Sequence, residues 1–300
     1  MNYALIDVGS NSMKLIVADK GGKKIFEQKI PDLRLGEGVK ETGLIKPESM
    51  ERNFEALKKL LAKANELHSE KIKIFSTAAM REAKNAKGFS RMALEEAGAE
   101  ISILSTEDEA RYLFKGAVQD FNFDGTLSMI NIGGGTSAFV VGRKEKIDKW
   151  WVLPLGALHL YQFLSEPPKD EQYKKIEELV NKELEKVICN VDGNIPYIHS
   201  SNVLEFYTSA GVVMEPNNLS PSHPKKLSIK KSEEFFHKIK NLHFDERVKL
   251  YPKDPAYMKG ALPGMVVVLG IAKKLGIKEE IPSDRNMNDG LLAELAEEQD

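Results

Sequence analysis

The chain has a single cysteine, Cys189, among 300 residues. One thiol excludes a disulfide framework and a cysteine-built metal cluster. Cys189 is expected on the apolar face of a helix, as inert core. None of the six histidines stands in a zinc spacing such as H-E-x-x-H. No apolar run approaches the roughly 20 residues that span a bilayer, and the first residues lead into a strand pattern rather than a charged-then-apolar leader. A cytoplasmic chain without membrane contact is therefore expected. Charge of one sign is also missing: 43 basic against 45 acidic side chains leave a net charge of −2. No overall field draws in DNA or an anionic membrane, so any anion site must be local. What remains is 42% apolar and 29% charged, an ordinary globular composition long enough for two domains of roughly 150 residues.

The most informative stretch is MINIGGGTSAFVV at 129–141. Consecutive glycines after an apolar run let a backbone approach a phosphate closely and present its N–H groups. Laid over YALIDVGSNSMKLIV (3–17), the segment LSMINIGGGTSAFVV (127–141) matches at a constant offset of 124 residues. Asp7 pairs with Asn131, Gly9 with Gly133, Ser10 with Gly134, Asn11 with Gly135 and Ser12 with Thr136. Each copy reads as a β-hairpin with a small-residue turn. Two copies imply an α/β chain of two related domains, with a ligand expected in the cleft between them.

Between the hairpins, helix and strand patterns alternate. Residues 50–67 carry Phe54, Leu57, Leu61 and Ala64 at helical spacing. Residues 71–75 and 100–104 read as strands around a helix at 88–98 ended by Gly98, a β–α–β crossover with parallel pairing. Amphipathic or buried helices are expected at 171–188, 260–276 and 289–300. Residues 215–225 read as a Pro-rich loop, and the basic run HPKKLSIKK (223–231) as its solvated continuation.

Candidate chemistry clusters after two strands. STEDEARYLFKGA (105–117) opens a helix with Glu107, Asp108 and Glu109 at its positive end. Glu109 fits a capping box with Thr106 as well as it fits a catalytic carboxylate, and spacing leaves both open. FSTAAMREAKN (75–85) brings Thr77, Arg81 and Asn85 toward the same strand edge. Arg81 suits a phosphate clamp or an ion pair with Glu82 or Glu107. Lys14 either meets a phosphate or leaves the strand for water.

These motifs carry a resemblance. DVGSNS (7–12), RLGEG (34–38), T-x-x-x-REA-x-N (77–85), EARYLFKGA (109–117), IGGGTS (132–137) and LPLGA (153–157) stand in the order of the Ppx/GppA phosphatase family. The resemblance implies two duplicated actin-like (ribonuclease H-like) domains. By analogy the first spans 1–124 with the C-terminal helix 290–300, and the second 125–289. It implies in-line hydrolysis of a terminal phosphate from polyphosphate or guanosine pentaphosphate, with Mg²⁺, and a homodimer. Its site residues would be Glu109 as general base; Gly9, Ser10, Asn11, Ser12, Lys14, Arg81, Gly133, Gly134, Gly135, Thr136 and Ser137 on phosphates; and Asp7 and Asn131 at the metal.

The chain also departs from the family pattern. The family's aspartate before the second glycine turn is Asn131, and the acid after it is Ala138. An expected Gly-Gly-Thr turn near 208–211 appears only as TSAG, the family's LPLGAVRL arginine is His159, and GLREGLL becomes NMNDGLL (286–292). An amide ligates a metal without charge and alanine cannot ligate at all. Asn131 and Ala138 therefore set beside the hydrolase a protein that senses polyphosphate or a guanosine tetra- or pentaphosphate without turnover; an actin-fold sugar or acetate kinase would share the loops, but the weak glycine turn near 208–211 counts against it.

Overall fold

The structure, a computed structural model, describes residues 2–187 and 193–297. Cys189, Ile188 at the end of the expected 171–188 helix and the last three residues of the expected 289–300 helix lie outside them. The first sheet comprises β1 (Asn2–Val8), β2 (Met13–Asp19), β3 (Lys24–Ile30), β4 (Ser69–Ser76) and β5 (Ile101–Ile103), in the order β3-β2-β1-β4-β5. β1, β2 and β3 pair antiparallel, while β4 joins β1 and β5 joins β4 in parallel. The second sheet comprises β6 (Leu127–Ile132), β7 (Ser137–Arg143), β8 (Lys146–Leu153), β9 (Tyr197–Ser200), β10 (Glu215–Pro216), β11 (Lys225–Ser228) and β12 (Glu279–Pro282). Its order, β10-β11-β12-β9-β6-β7-β8, repeats the first order from β8 through β12 and adds two antiparallel strands. The duplication read from the turns thus extends to whole sheets.

The central strands are apolar along their length because helices cover both faces. Along β1, Ala4, Ile6 and Val8 face one core, shared with Phe54, Leu57, Leu60 and Phe89 of the Pro47–Glu66 and Ala86–Ala97 helices. Tyr3 and Leu5 face the other, shared with Leu291, Leu292 and Leu295 of the Met287–Glu297 helix. That helix is pinned through Glu294, which accepts from Arg111 Nη1 at 2.7 Å and from the Tyr112 hydroxyl at 2.5 Å. The second sheet's core includes Ile130, Phe139, Tyr197, Val180 and the Tyr257–Leu275 helix.

The chain divides into two compact units, Met1–Tyr112 with Met287–Asp300, and Leu113–Asn286. The division falls inside the Thr106–Val118 helix, ahead of the 124/125 junction anticipated from the repeat. The reason lies at residues 119–122: Asn122 N–H donates to the Leu219 carbonyl at 2.7 Å, Asp120 accepts from Ser220 and Ser222, and Phe121 packs on His223. At the other end Asp289 belongs with the first unit, pairing with Lys24 at 3.1 Å.

The basic run at 223–231 is not the expected solvated loop. His223 is fully buried, residues 225–228 form β11, and the Ile229–Ile239 helix follows. Lys226 pairs with Glu279 across the strands at 3.0 Å and Lys231 with Glu215 at 2.9 Å. Lys226 and Lys231 are thus matched by facing acids instead of being left to solvent. Among the described residues no helix is long and apolar enough to cross a membrane.

Candidate active site

The two hairpins share one turn geometry. Gly9 N–H donates to the Ser12 carbonyl at 3.0 Å and Gly133 N–H to the Thr136 carbonyl at 2.9 Å. A Cβ on Gly9 would lie 2.8 Å from that Ser12 oxygen, and one on Gly133 2.9 Å from that of Thr136, so only glycine closes either turn. Ser10 and Asn11 in one, and Gly134, Gly135 and Thr136 in the other, are exposed. Each turn is clasped by the loop that follows the third strand. Gly36 N–H donates to the Ser10 carbonyl and Leu33 N–H to that of Asn11, both at 2.8 Å. Ala157 N–H donates to Gly133 at 2.8 Å and Leu158 N–H to Gly134 at 3.0 Å. The RLGEG and LPLGA motifs therefore brace the turns from behind.

The equivalent cross-strand pairs differ in charge. Asp7 opposes Lys14 in the first hairpin, and Asn131 opposes Ala138 in the second. Burial pushes the Asp7 carboxyl up to about 6; Lys14 pulls against that shift, the negative charge of Glu109 adds to it, and a hydrogen bond from Asn288 opposes it. Lys14 itself pairs with Glu27 at 3.2 Å. Ser137 is buried and donates to the Leu155 carbonyl at 2.6 Å, which commits its hydroxyl to the fold. The Asn131 nitrogen donates to the hydroxyls of Ser200 at 3.2 Å and Ser201 at 2.5 Å.

The ambiguity over Glu109 resolves one residue upstream. Ser105 Oγ accepts from Asp108 N–H at 3.0 Å and donates to Asp108 Oδ2 at 2.7 Å, so the cap is Ser105–Asp108 and not Thr106–Glu109. Glu109 is thereby released to meet Arg81, whose Nη1 donates to Glu109 Oε2 at 3.2 Å and to the Leu104 carbonyl at 2.8 Å. The ion-pair partner of Arg81 is thus neither Glu82 nor Glu107. Asn85 does not reach this edge; its amide makes two 2.9 Å bonds with the Ile45 backbone. Ser105→Ala is expected to cost about 1 kcal/mol, the usual worth of such a cap, whereas Thr106→Ala costs far less; paired denaturation curves check this.

The turn expected near 208–211 lies elsewhere. Residues 208–211 end the Val203–Ser209 helix, and Gly211 at φ 71° belongs to that ending. The turn after β9 is Ser200-Ser201-Asn202, where Ser201 (φ 93°) and Asn202 (φ 56°) both hold left-handed backbone. Glycine is the usual signal for such a turn, and here it is absent.

Two ribonuclease H-like sheets, each ending its first strand in a glycine-closed turn, define an actin-like fold. The profile of the Ppx/GppA phosphatase family matches residues 15–299. The chain belongs to that family and is a hydrolase of phosphoanhydride bonds. It is 24% identical over 313 residues to exopolyphosphatase 2 of Mycobacterium tuberculosis H37Rv, covering 98% of both chains. It is 30% identical over 143 residues, 47% of this chain and 29% of the other, to the guanosine-5'-triphosphate,3'-diphosphate pyrophosphatase of Pseudoalteromonas translucida. The crystal structure of the Aquifex aeolicus Ppx/GppA family member superposes with a TM-score of 0.86 at 28% identity, over 100% of this chain and 99% of that one.

Proposed function

We propose that the protein removes terminal orthophosphate from inorganic polyphosphate or guanosine pentaphosphate by in-line attack of water. The observation that carries this reading is Glu109: freed from capping, half-buried, and held by Arg81. In this reading the Glu109 carboxylate takes the proton of the attacking water as its oxygen bonds to the terminal phosphorus. The bond to the bridging oxygen breaks, and the shortened chain leaves as a stable anion that needs no proton. Arg81 holds the Glu109 carboxylate in place and offers its remaining N–H groups to phosphate oxygens. Backbone N–H groups and side chains of Ser10 to Ser12 and of Gly134 to Thr136 hold phosphates, with Lys14 nearby, while the Gly9 and Gly133 N–H groups close the turns.

Divalent metal fits this donor set in one way. Among the described residues no group of three or more His, Cys, Asp or Glu could hold an ion by itself. Asp7 is a single hard oxygen donor whose carboxyl, pushed up to about 6, gains from a cation beside it. That suits Mg²⁺, which is bound by one or two carboxylates together with substrate phosphates. Bound so, it would neutralise charge on the phosphate oxygens.

Asp7 also gives a pH signature. Its folded pKa of about 6 lies above the ordinary 3.8, so its protonated form favours the fold. That contribution is complete below pH 3.8 and is lost as the pH rises through 6. In chelator, Asp7→Asn is expected to match wild-type melting near pH 4 and exceed it by a few degrees above pH 7, and with Mg²⁺ supplied its turnover is expected to be lost at every pH. Calorimetric scans across pH check the first part. The function itself is tested by orthophosphate release from polyphosphate and from guanosine pentaphosphate with Mg²⁺. Binding of either without release would move the assignment to a sensor, and transfer from ATP to a sugar or acetate would move it to a kinase.

A further inference from the structure

The Asn131 amide sits where the first hairpin has the Asp7 carboxylate, and its surroundings require a donor there. β6 and β9 run in parallel with Asn131 opposite Ser200. Ser200 is fully buried, and its one hydroxyl proton goes to the Arg285 carbonyl at 2.6 Å. The Ser200 oxygen can then only accept, and the Asn131 nitrogen at 3.2 Å supplies the proton. An aspartate at 131 would set an anionic acceptor against that oxygen, unless Ser200 rotated and gave up Arg285. The second proton of the same amide goes to Ser201 Oγ at 2.5 Å. Because Ser201 accepts from Asn131, its own proton points elsewhere, and no acceptor for it is found among the described residues.

Ser201 also holds φ 93°, followed by Asn202 at φ 56°. Two successive left-handed residues other than glycine are strained, and such strain persists where surrounding contacts over-determine it. The Asn131 amide is one such contact, reaching Ser201 from the strand that ends in the Gly133 turn.

We propose that Asn131 is a positioning residue that orients the Ser201 hydroxyl as an uncharged donor to a phosphate oxygen of the polyanion. The second unit grips its ligand by hydrogen bonds in place of a metal ligand at position 131. This rests on the polyanion reading above, and the test separates the two. Tripolyphosphate binding is measured by calorimetry for wild type, Ser201→Ala, Asn131→Asp and the double variant Asn131→Asp/Ser201→Gly. Orthophosphate release as a function of substrate and Mg²⁺ is measured alongside, and melting curves establish folding.

Loss of a hydrogen bond to a charged partner is worth roughly tenfold or more in affinity. Ser201→Ala is therefore expected to raise Kd and KM about tenfold with kcat within a factor of about two. Asn131→Asp should raise KM at least as much and leave the Mg²⁺ half-saturation unchanged. Adding Ser201→Gly relieves the strained backbone but removes the donor hydroxyl, so the double variant should bind no more tightly than Asn131→Asp. A Ser201→Ala protein that binds tripolyphosphate like wild type overturns the proposal. So does an Asn131→Asp protein that needs less Mg²⁺ and turns over faster, because position 131 is then a weakened metal ligand. Should Asn131→Asp fail to fold, Ser201→Ala still decides. If wild type binds tripolyphosphate without hydrolysing it, the catalytic reading fails while the subsite is still judged on Kd.

Discussion

Glu109→Gln is expected to lower orthophosphate release by about 10²- to 10⁴-fold, the usual contribution of a positioned general base, with substrate affinity nearly unchanged. The amide keeps an oxygen that can accept from Arg81 Nη1, now 3.2 Å from Glu109 Oε2, so the local geometry survives. What disappears is the ability to take a proton. The effect should therefore fall on kcat and on kcat/KM alike. Single-turnover release, paired with calorimetric binding of tripolyphosphate, separates the two quantities. Residual turnover within tenfold of wild type would sink Glu109 as the base. Ser105→Ala is the useful comparison, because it weakens the start of the same helix without touching the carboxylate.

Gly156→Ala is expected to be the most damaging small substitution away from the acid. A Cβ there would lie 2.1 Å from the Gly135 carbonyl carbon and 2.4 Å from the Gly134 oxygen. Both are backbone atoms of the exposed turn and cannot swing aside as a side chain would. The clasp or the turn must shift, at a cost of about 1–3 kcal/mol or more, as for overpacked cores. Phosphate binding by the second unit should weaken along with stability. Gly134→Ala is the control: its Cβ meets only the flexible Leu158 Cδ1 at 3.3 Å. Melting temperature, measured for both, should separate them clearly.

The parts of the molecule that were legible are those whose chemistry is local. A glycine closing a two-stranded turn announces itself, and the same signal recurring 124 residues on exposed the duplication that the strand orders carry through. Helices ending in Gly98 and Gly276 read correctly because only a left-handed residue ends them that way.

Misreadings arose where a neighbour in space decided the outcome. The segment STEDE offers two overlapping capping patterns, one residue apart, and only the bond from Asp108 N–H to Ser105 chooses between them. The lysines at 226 and 231 seemed free until Glu279 and Glu215 were found opposite them. The turn after β9 escaped notice because serine and asparagine occupy backbone that glycine usually marks. The short Glu279–Pro282 strand beside β9, with buried Glu280 accepting from His199 and Tyr207, had no periodic signature either.

The unequal cross-strand pairs have a physiological corollary. Protons and small ions act on a hairpin through its charges, and only the Asp7–Lys14 copy has any at this position. Acidity and ionic strength can therefore tune the N-terminal hairpin while its Asn131–Ala138 counterpart stays indifferent to both. Two descendants of one ancestral turn have come to answer to different features of their surroundings.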